Sequence, residues 1–290
     1  MAVVLSFKQR QGSARSKLSK APAYLLLTLW AVFTVMLIGW VLFASLSTSS
    51  EIFSEHMFKF ETGFHFENYI KAWKTQKVSV FFMNSLLYTL VSCTLIVLIA
   101  SPTAYVLSRF KFKGNMFLQN MFASALGIPI IMIIMPLFGL ASMFKLTNTR
   151  ALIIFLYIAV NVPFTLFYLL AFFKNLSTTY EEAAAIDGCP PIRTFWTIMF
   201  PLVQPGIITV SIFNFITVWN EYFMSLIFAN KISVRSVAVG LYNMISAMRY
   251  TGDWGGMFAS VVIIFLPTFV LYLFLSEKII TGVTGGAIKG

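Results

Sequence analysis

The sequence predicts an all-α polytopic membrane protein with six transmembrane helices and both termini on the cytoplasmic side. This prediction depends on the composition, on the spacing of the charged residues and on the placement of the basic ones. Of the 290 residues, 59% are hydrophobic and 11% are charged, with a mean hydropathy of +0.84, whereas soluble domains are about 25% charged. So few charges would leave large apolar areas facing water. The composition therefore excludes a soluble enzyme, a disordered chain and a disulfide scaffold.

Charge-free intervals divide the chain into candidate spans. Six intervals hold at least 23 residues each, and at about 1.5 Å per residue each can cross a hydrocarbon core of about 30 Å. The next interval, 236–248, is too short to span. The first interval is longer than the ~7–15 apolar residues of a secretory signal, which predicts an uncleaved anchor. The six intervals are 21–50, 78–108, 114–144, 151–173, 194–220 and 254–276.

Two prolines modify the fifth interval. Pro201 and Pro205 lie near its start, and proline is disfavoured inside a helix because it has no backbone N–H to donate. The fifth membrane helix is therefore predicted to begin near Gly206 and to run past Glu221 to about Phe228.

The placement of the basic residues orients the chain. The segment 1–21 carries five basic residues and no acid, and the connection 109–113 carries three and no acid. Such segments stay in the cytoplasm. The net charge of +11 would favour nucleic acid in a soluble protein, but these basic residues flank apolar intervals, so no nucleic-acid partner is predicted. The predicted division is a cytoplasmic tail (1–21), the first transmembrane helix with an outer loop (22–79), a core transmembrane domain (80–280) and a cytoplasmic tail (281–290).

The connection 174–205 is longer than a simple inner connection needs to be, and it carries helix signals of its own. Thr178 and Thr179 each precede a glutamate by three residues, the spacing of a capping box at a helix start. A short helix over 181–187 is predicted, ended by Gly188 in the left-handed position that commonly follows a helix.

A second short helix is predicted after this glycine. Pro190 and Pro191 suit a first helical turn, and Pro201 is predicted to end the helix. Two short helices joined at a glycine fit a docking element for a protein partner, or an amphipathic hairpin on lipid headgroups. The residues alone leave both interpretations open. The apolar stripe of the second helix is Ile192, Phe195, Trp196 and Met199.

This connection resembles the EAA motif of binding-protein-dependent ABC importer permeases. Phe200 stands where the motif usually has leucine, and the spacing fits otherwise. Two further stretches, 219–223 (WNEYF) and 282–290 (GVTGGAIKG), resemble the carbohydrate branch of that family and are similar to the maltose permease subunit MalG, as is Asp253-Trp254. The motif residues are Glu182-Ala183-Ala184, Gly188, Ile198 and Phe200-Pro201.

The resemblance implies a type I ABC importer permease fold, in a bacterial or archaeal cytoplasmic membrane. It implies a second homologous permease in a heterodimer, two cytoplasmic ABC ATPases and an extracytoplasmic binding protein that delivers a sugar or oligosaccharide. No cofactor is expected on this chain and no enzyme activity, because ATP and Mg²⁺ are used by the ATPases. The residues it assigns to ATPase coupling are Glu181, Glu182, Ala183, Ala184, Asp187, Gly188, Ile198 and Pro201.

Polar residues inside the predicted spans are candidates for the translocation pathway. Glu221 is the one acid expected at membrane depth, where carboxylates are costly and often functional. It is predicted to line the pathway or the permease interface; alternatively it reaches the outer interface beside aromatic anchors. The amides either line a sugar pathway or bond neighbouring helices. The other candidates are Asn84, Asn161, Asn214, Trp219 and Asn220.

Two other function classes compete with this interpretation. An ion-coupled secondary transporter or channel usually needs several buried carboxylates or internal repeats, and the sequence offers one candidate acid. An intramembrane enzyme would need catalytic or metal-binding side chains, yet both histidines, His56 and His65, fall in the first outer loop. The sequence contains no G-x-x-x-x-G-K-[ST] motif, so ATP hydrolysis must come from a partner.

Overall fold

A computed structural model describes residues 14–54 and 60–285 of the chain. Within these ranges every regular element is helical, which confirms the all-α prediction. His56, most of the predicted N-terminal tail and the end of the 282–290 motif lie outside the described residues. The helices are α1 (Ala14–Ser45), α2 (Ser49–Ile52), α3 (Glu67–Lys74), α4 (Val78–Arg109), α5 (Asn115–Leu126), α6 (Ile130–Met143), α7 (Arg150–Asn175), α8 (Thr179–Ile186), α9 (Pro191–Thr194), a π-helix (Phe195–Met199), α10 (Phe200–Leu202), α11 (Gln204–Trp219), α12 (Phe223–Phe228), a 3-10 turn (Ile232–Val234), α13 (Val237–Thr251) and α14 (Trp254–Gly285).

Four of the described helices are long and apolar enough to cross a membrane. Two further pairs qualify if each is taken as one bent span: α5 with α6, bent by 99°, and the stretch from α9 to α10 with α11, bent by 75°. The described residues therefore hold four to six spans. The four unbroken spans are Pro22–Ser45, Val78–Arg109, Arg150–Asn175 and Trp254–Ser276.

The bend before α11 corrects two predictions about prolines. Pro201 does not end its helix, because it lies inside α10 and the helical stretch continues to Leu202. A π-helical turn ends at Met199, two residues before this proline, and such a turn already interrupts the regular hydrogen-bond ladder that proline would break. The bend falls at Val203, ahead of Pro205 in the first turn of α11. Helix α11 begins at Gln204, two residues before the predicted start of the fifth helix near Gly206.

The far end of α11 corrects a third prediction. The helix does not run through Glu221 to Phe228, because α11 ends at Trp219 and α12 begins at Phe223. The carboxylate of Glu221 accepts hydrogen bonds from the backbone of α12. A side chain that satisfies N–H groups at a helix start favours a new helix there over continuation of the old one.

The core lies between α4 and α7, which pack along their lengths, with α11 against both. The core part farther from α8 contains the edge-to-face pair of Tyr88 and Tyr157, 6.3 Å between ring centroids. The part beneath α8 contains Tyr105, Phe173 and Phe195. Helix α1 contacts α14 and has no buried residue in its most apolar window, so one flank of the bundle is built from a helix with little packing inside this chain.

The segment between α1 and α4, at the end of the bundle away from α8, is organised around Glu51. The carboxylate accepts hydrogen bonds from the backbone N–H of Thr48 and of Thr62, both at 2.8 Å, and from both threonine hydroxyls. The side chain is nearly fully buried. Led by the bond from the Thr48 backbone, these bonds hold the pKa of Glu51 at about 2, below its ordinary 4.5.

This lowered pKa predicts an acid-sensitive loop. A carboxyl whose pKa is depressed in the folded state contributes stability that is complete above its unfolded pKa and is lost as the pH falls through the folded pKa. Replacing Glu51 with glutamine is therefore expected to lower the melting temperature at pH 7, and the difference from wild type should shrink between pH 4.5 and pH 2. Thermal unfolding in detergent across this range measures it. Glu61→Gln, at an exposed carboxylate in the same segment, is the control; a pH-independent difference for Glu51 would contradict the assignment.

Candidate coupling loop and polar residues of the bundle

The first helix of the predicted docking element is confirmed with a different start. Helix α8 runs from Thr179 to Ile186, and Gly188 follows it at φ +71°, as predicted. The predicted capping box is wrong. The backbone of Thr178 is helical, so its hydroxyl does not point at the first N–H groups, and it makes no cap hydrogen bond. Ser177 Oγ instead accepts a hydrogen bond from the backbone N–H of Thr179, at 3.2 Å.

Most predicted coupling residues lie on the exposed side of this element. Glu182, Ala183, Asp187, Gly188 and Pro201 are exposed, Ile198 and Glu181 are partly buried, and Ala184 is buried. Two apolar side chains on the same element are also exposed: Ile186 is 87% exposed and Ile192 is 77% exposed. Apolar side chains rimmed by acidic ones are typical of a surface that another protein covers.

The second half of the element is anchored in the core. Phe195 and Met199 are buried, and the Phe195 ring lies 5.1 Å from that of Tyr105 on α4. The other members of the predicted stripe, Ile192 and Trp196, stay exposed. Two side chains of the predicted stripe therefore pack into the core and two stay on the exposed face. The π-helical turn changes the angle between successive side chains, so the four no longer share one face. An exposed helix thus stands on a base packed against the two central helices.

An ion pair that sequence reasoning missed joins α8 to the end of α4. Arg109 Nε donates to Glu181 Oε1 at 2.7 Å, and Arg109 Nη2 donates to the backbone oxygen of Leu176 at 2.8 Å. As part of the basic connection 109–113, Arg109 indicated only the orientation of the chain. The acid and the base are 72 residues apart in sequence, so no local pattern indicates the pairing.

Asn84 lies in a packed cluster. Its Nδ2 donates to the backbone oxygens of Ser233 and Arg235, at 2.9 and 3.0 Å, and its Oδ1 accepts from Arg150 Nε at 3.2 Å. The residue is 3% exposed. These bonds fasten the segment between α12 and α13 to α4 and α7, which agrees with the helix-packing interpretation.

The other asparagines have separate partners. Asn214 and Thr165 join α11 to α7 through bonds of 2.9 and 3.2 Å. Asn161 donates to the oxygen of Tyr157 in its own helix. Asn220, directly after α11, donates to the oxygen of Ile216 in that helix and is exposed. The hydrogen bonds therefore do not bring these amides together into one polar site.

Trp219 is a core residue. It is 2% exposed, stacks on Phe215 with 5.8 Å between ring centroids, and meets Phe82 edge to face at 5.5 Å. Its indole Nε1 donates to the backbone oxygen of Ile264 on α14 at 3.3 Å. The side chain therefore binds α11 to α4 and α14 and does not stand free as a headgroup anchor.

Glu221 occupies the break between α11 and α12. Its Oε1 accepts from the backbone N–H of Met224 at 2.7 Å, and its Oε2 accepts from that of Ser225 at 3.1 Å. The hydroxyl of Tyr157 donates to Oε2 at 2.9 Å. The acid thus satisfies the first free N–H groups of α12 and fastens that helix to α7. The one local signal for this break is a polar pair, Asn220-Glu221, at the end of an apolar run.

This architecture defines a class of protein: a helical membrane protein in which one short exposed helix stands on a base packed against two long apolar helices. The chain belongs to the family described as binding-protein-dependent transport system inner membrane component, which matches residues 96–280. The resemblance drawn from the EAA motif is thereby confirmed.

Similar proteins share most of their length with this chain. The diacetylchitobiose uptake system permease protein NgcG of Streptomyces coelicolor is 31% identical over 280 residues, which is 97% of this chain and 92% of that one. The trehalose transport system permease protein SugB of Mycobacterium tuberculosis is 26% identical, over 91% and 98% of the two chains. A chain in the crystal structure of a bacterial ABC transporter involved in the import of the acidic polysaccharide alginate has the same fold, with a TM-score of 0.80 at 19% identity, over 91% and 98% of the two chains.

Proposed function

We propose that this chain is the transmembrane subunit of an ATP-driven importer for a sugar or oligosaccharide. The observation that carries the proposal is the exposed α8 element on its buried base, in a chain of the binding-protein-dependent family. Relatives named for diacetylchitobiose and trehalose transport support the saccharide class.

The proposed arrangement has six spans, with each bent helix pair counted as one, in a bacterial or archaeal cytoplasmic membrane. Both termini and α8 lie in the cytoplasm, which the acid-free basic segments 1–21 and 109–113 support. The core domain, 80–280, pairs with a second homologous permease. Two ABC ATPases bind ATP and Mg²⁺ and dock on the α8 element, and an extracytoplasmic binding protein delivers the substrate.

The proposed mechanism uses the contrast between the two halves of the element. Closure of the ATPases displaces the exposed helix α8, and the packed base carries the displacement to α4 and α7. A close-packed core transmits this displacement because it has little free volume in which side chains could shift instead. Among the six pathway candidates, Asn220 is the one exposed residue, and it is the side chain best placed to meet the substrate or the second permease.

Reconstitution tests this function. The chain is purified with its copurifying permease, ATPases and binding protein, and the complex is placed in liposomes with labelled trehalose, maltose or diacetylchitobiose outside. Uptake is expected with ATP inside and binding protein outside, and no uptake without either. Uptake driven by a proton or sodium gradient in the absence of ATP would contradict the proposal and favour an ion-coupled transporter.

A further inference from the structure

Arg109 connects three elements beneath the predicted docking surface. It is the last residue of α4, and its guanidinium donates both to Glu181 in the first turn of α8 and to the oxygen of Leu176, which ends α7. One side chain therefore fastens the ends of both central helices to α8. The planar, branched donor set of arginine suits such a two-sided contact, and the single ammonium of lysine does not reproduce it.

The ion pair is largely shielded from water. The Arg109 and Glu181 side chains are 12% and 20% exposed. Glu181 Oε2 is buried and, within the described part of the chain, has no hydrogen-bond partner. Two features thus offset the negative charge of the Glu181 carboxylate: the positive N-terminal end of the α8 dipole and the guanidinium of Arg109. Removing one partner of a buried pair leaves an uncompensated charge, which costs far more than losing an exposed pair.

Helix α8 has few other lateral attachments. All eight of its residues are described, and among them Ala184 is buried, Glu181 is partly buried and the rest are exposed. A force applied to the exposed face of α8 therefore has two routes to α4 and α7: through the packed base, which α8 contacts, and directly through the ion pair with Arg109. Next to Arg109 in space, Tyr105 packs on Phe173 and Phe195, so the ends of α4 and α7 move as a packed unit.

We propose that Arg109 is a positioning residue for coupling, which transmits displacement of α8 to α4 and α7. The inference rests on the proposed function and extends it to a residue outside the α8 element. Arg109 acts through Glu181 and the end of α7 and need not touch the ATPase.

The test measures saccharide uptake per ATP hydrolysed in the reconstituted complex. Arg109→Gln and Glu181→Gln are each expected to leave ATPase subunits bound while lowering this ratio roughly 5- to 150-fold, the usual range for coupling between sites. The conservative variant Arg109→Lys keeps a positive charge opposite Glu181 but not the two-sided contact, and it is expected to recover part of the ratio. Lys111→Gln, at an exposed cation two residues along the chain, is the matched control and should leave it unchanged.

The outcomes separate this inference from the proposed function. If the wild-type complex imports nothing with ATP, the proposed function fails. If wild type imports normally, an unchanged ratio in Arg109→Gln overturns the inference, as does an Arg109→Lys variant that assembles with a ratio as low as that of Arg109→Gln. If the two glutamine variants do not assemble, Arg109→Lys decides: assembly with a ratio below that of wild type supports the inference, and failure to assemble, or assembly with a wild-type ratio, overturns it in favour of a folding role.

Discussion

Replacing Gly188 with valine is expected to separate ATP hydrolysis from uptake while the protein still inserts into the membrane. Gly188 has φ +71°, a left-handed conformation that costs other residues about 1–2 kcal/mol, roughly a 5- to 30-fold shift against the native turn. A β-branched side chain is especially unfavourable there. No atom lies within 4 Å of a Cβ built at this position, so the cost is in the backbone. The turn is exposed, which confines the damage to the angle between α8 and its base.

A second glycine provides the matched control. Gly252 follows α13 at φ +60°, also with nothing within 4 Å of a built Cβ, so Gly252→Val carries a comparable backbone cost at a position away from the α8 element. ATPase copurification and uptake per ATP should fall for Gly188→Val and stay near wild type for Gly252→Val. Equal uptake in the two variants would rule out a coupling role for the Gly188 turn.

Replacing Glu221 with alanine is expected to cause a large loss of stability. The backbone N–H groups of Met224 and Ser225 and the hydroxyl of Tyr157 would all lose their acceptor. Each buried group left unsatisfied costs about 1–3 kcal/mol. The melting temperature in detergent and the yield of inserted protein measure the effect.

Three further variants sharpen this result. Glu221→Gln retains an acceptor oxygen and should be intermediate, and Tyr157→Phe should be non-additive with it because the two residues share one hydrogen bond. Asn220→Ala removes an exposed amide that donates to the Ile216 oxygen of α11, and it is the neighbouring control for stability alone. Normal stability with reduced uptake for Glu221→Ala would instead assign Glu221 to the pathway, and normal stability with normal uptake would leave it no role in either.

Local sequence signals predicted the regions that a bilayer constrains. Charged side chains are too costly for the hydrocarbon core, so the gaps between them mark where apolar helices occur. Gly188 was also predictable, since a left-handed residue after a helix favours glycine. The capping box at Thr178 failed because the same spacing forms in a backbone that does not direct the hydroxyl at the helix start. Pro201 was misread because the π-helical turn before it lies beyond a local rule.

The sequence by itself thus determined that the chain is an all-helical membrane protein, and the EAA motif indicated its family and its coupling loop. Both depend on composition and on spacing along the chain. The tertiary structure alone decided that Arg109 meets Glu181, that Glu221 begins a new helix beside Tyr157, and that Trp219 and Asn84 are packing residues. These contacts join residues far apart in the chain. Their energies depend on burial and on the direction of each side chain, which are set when the helices pack together.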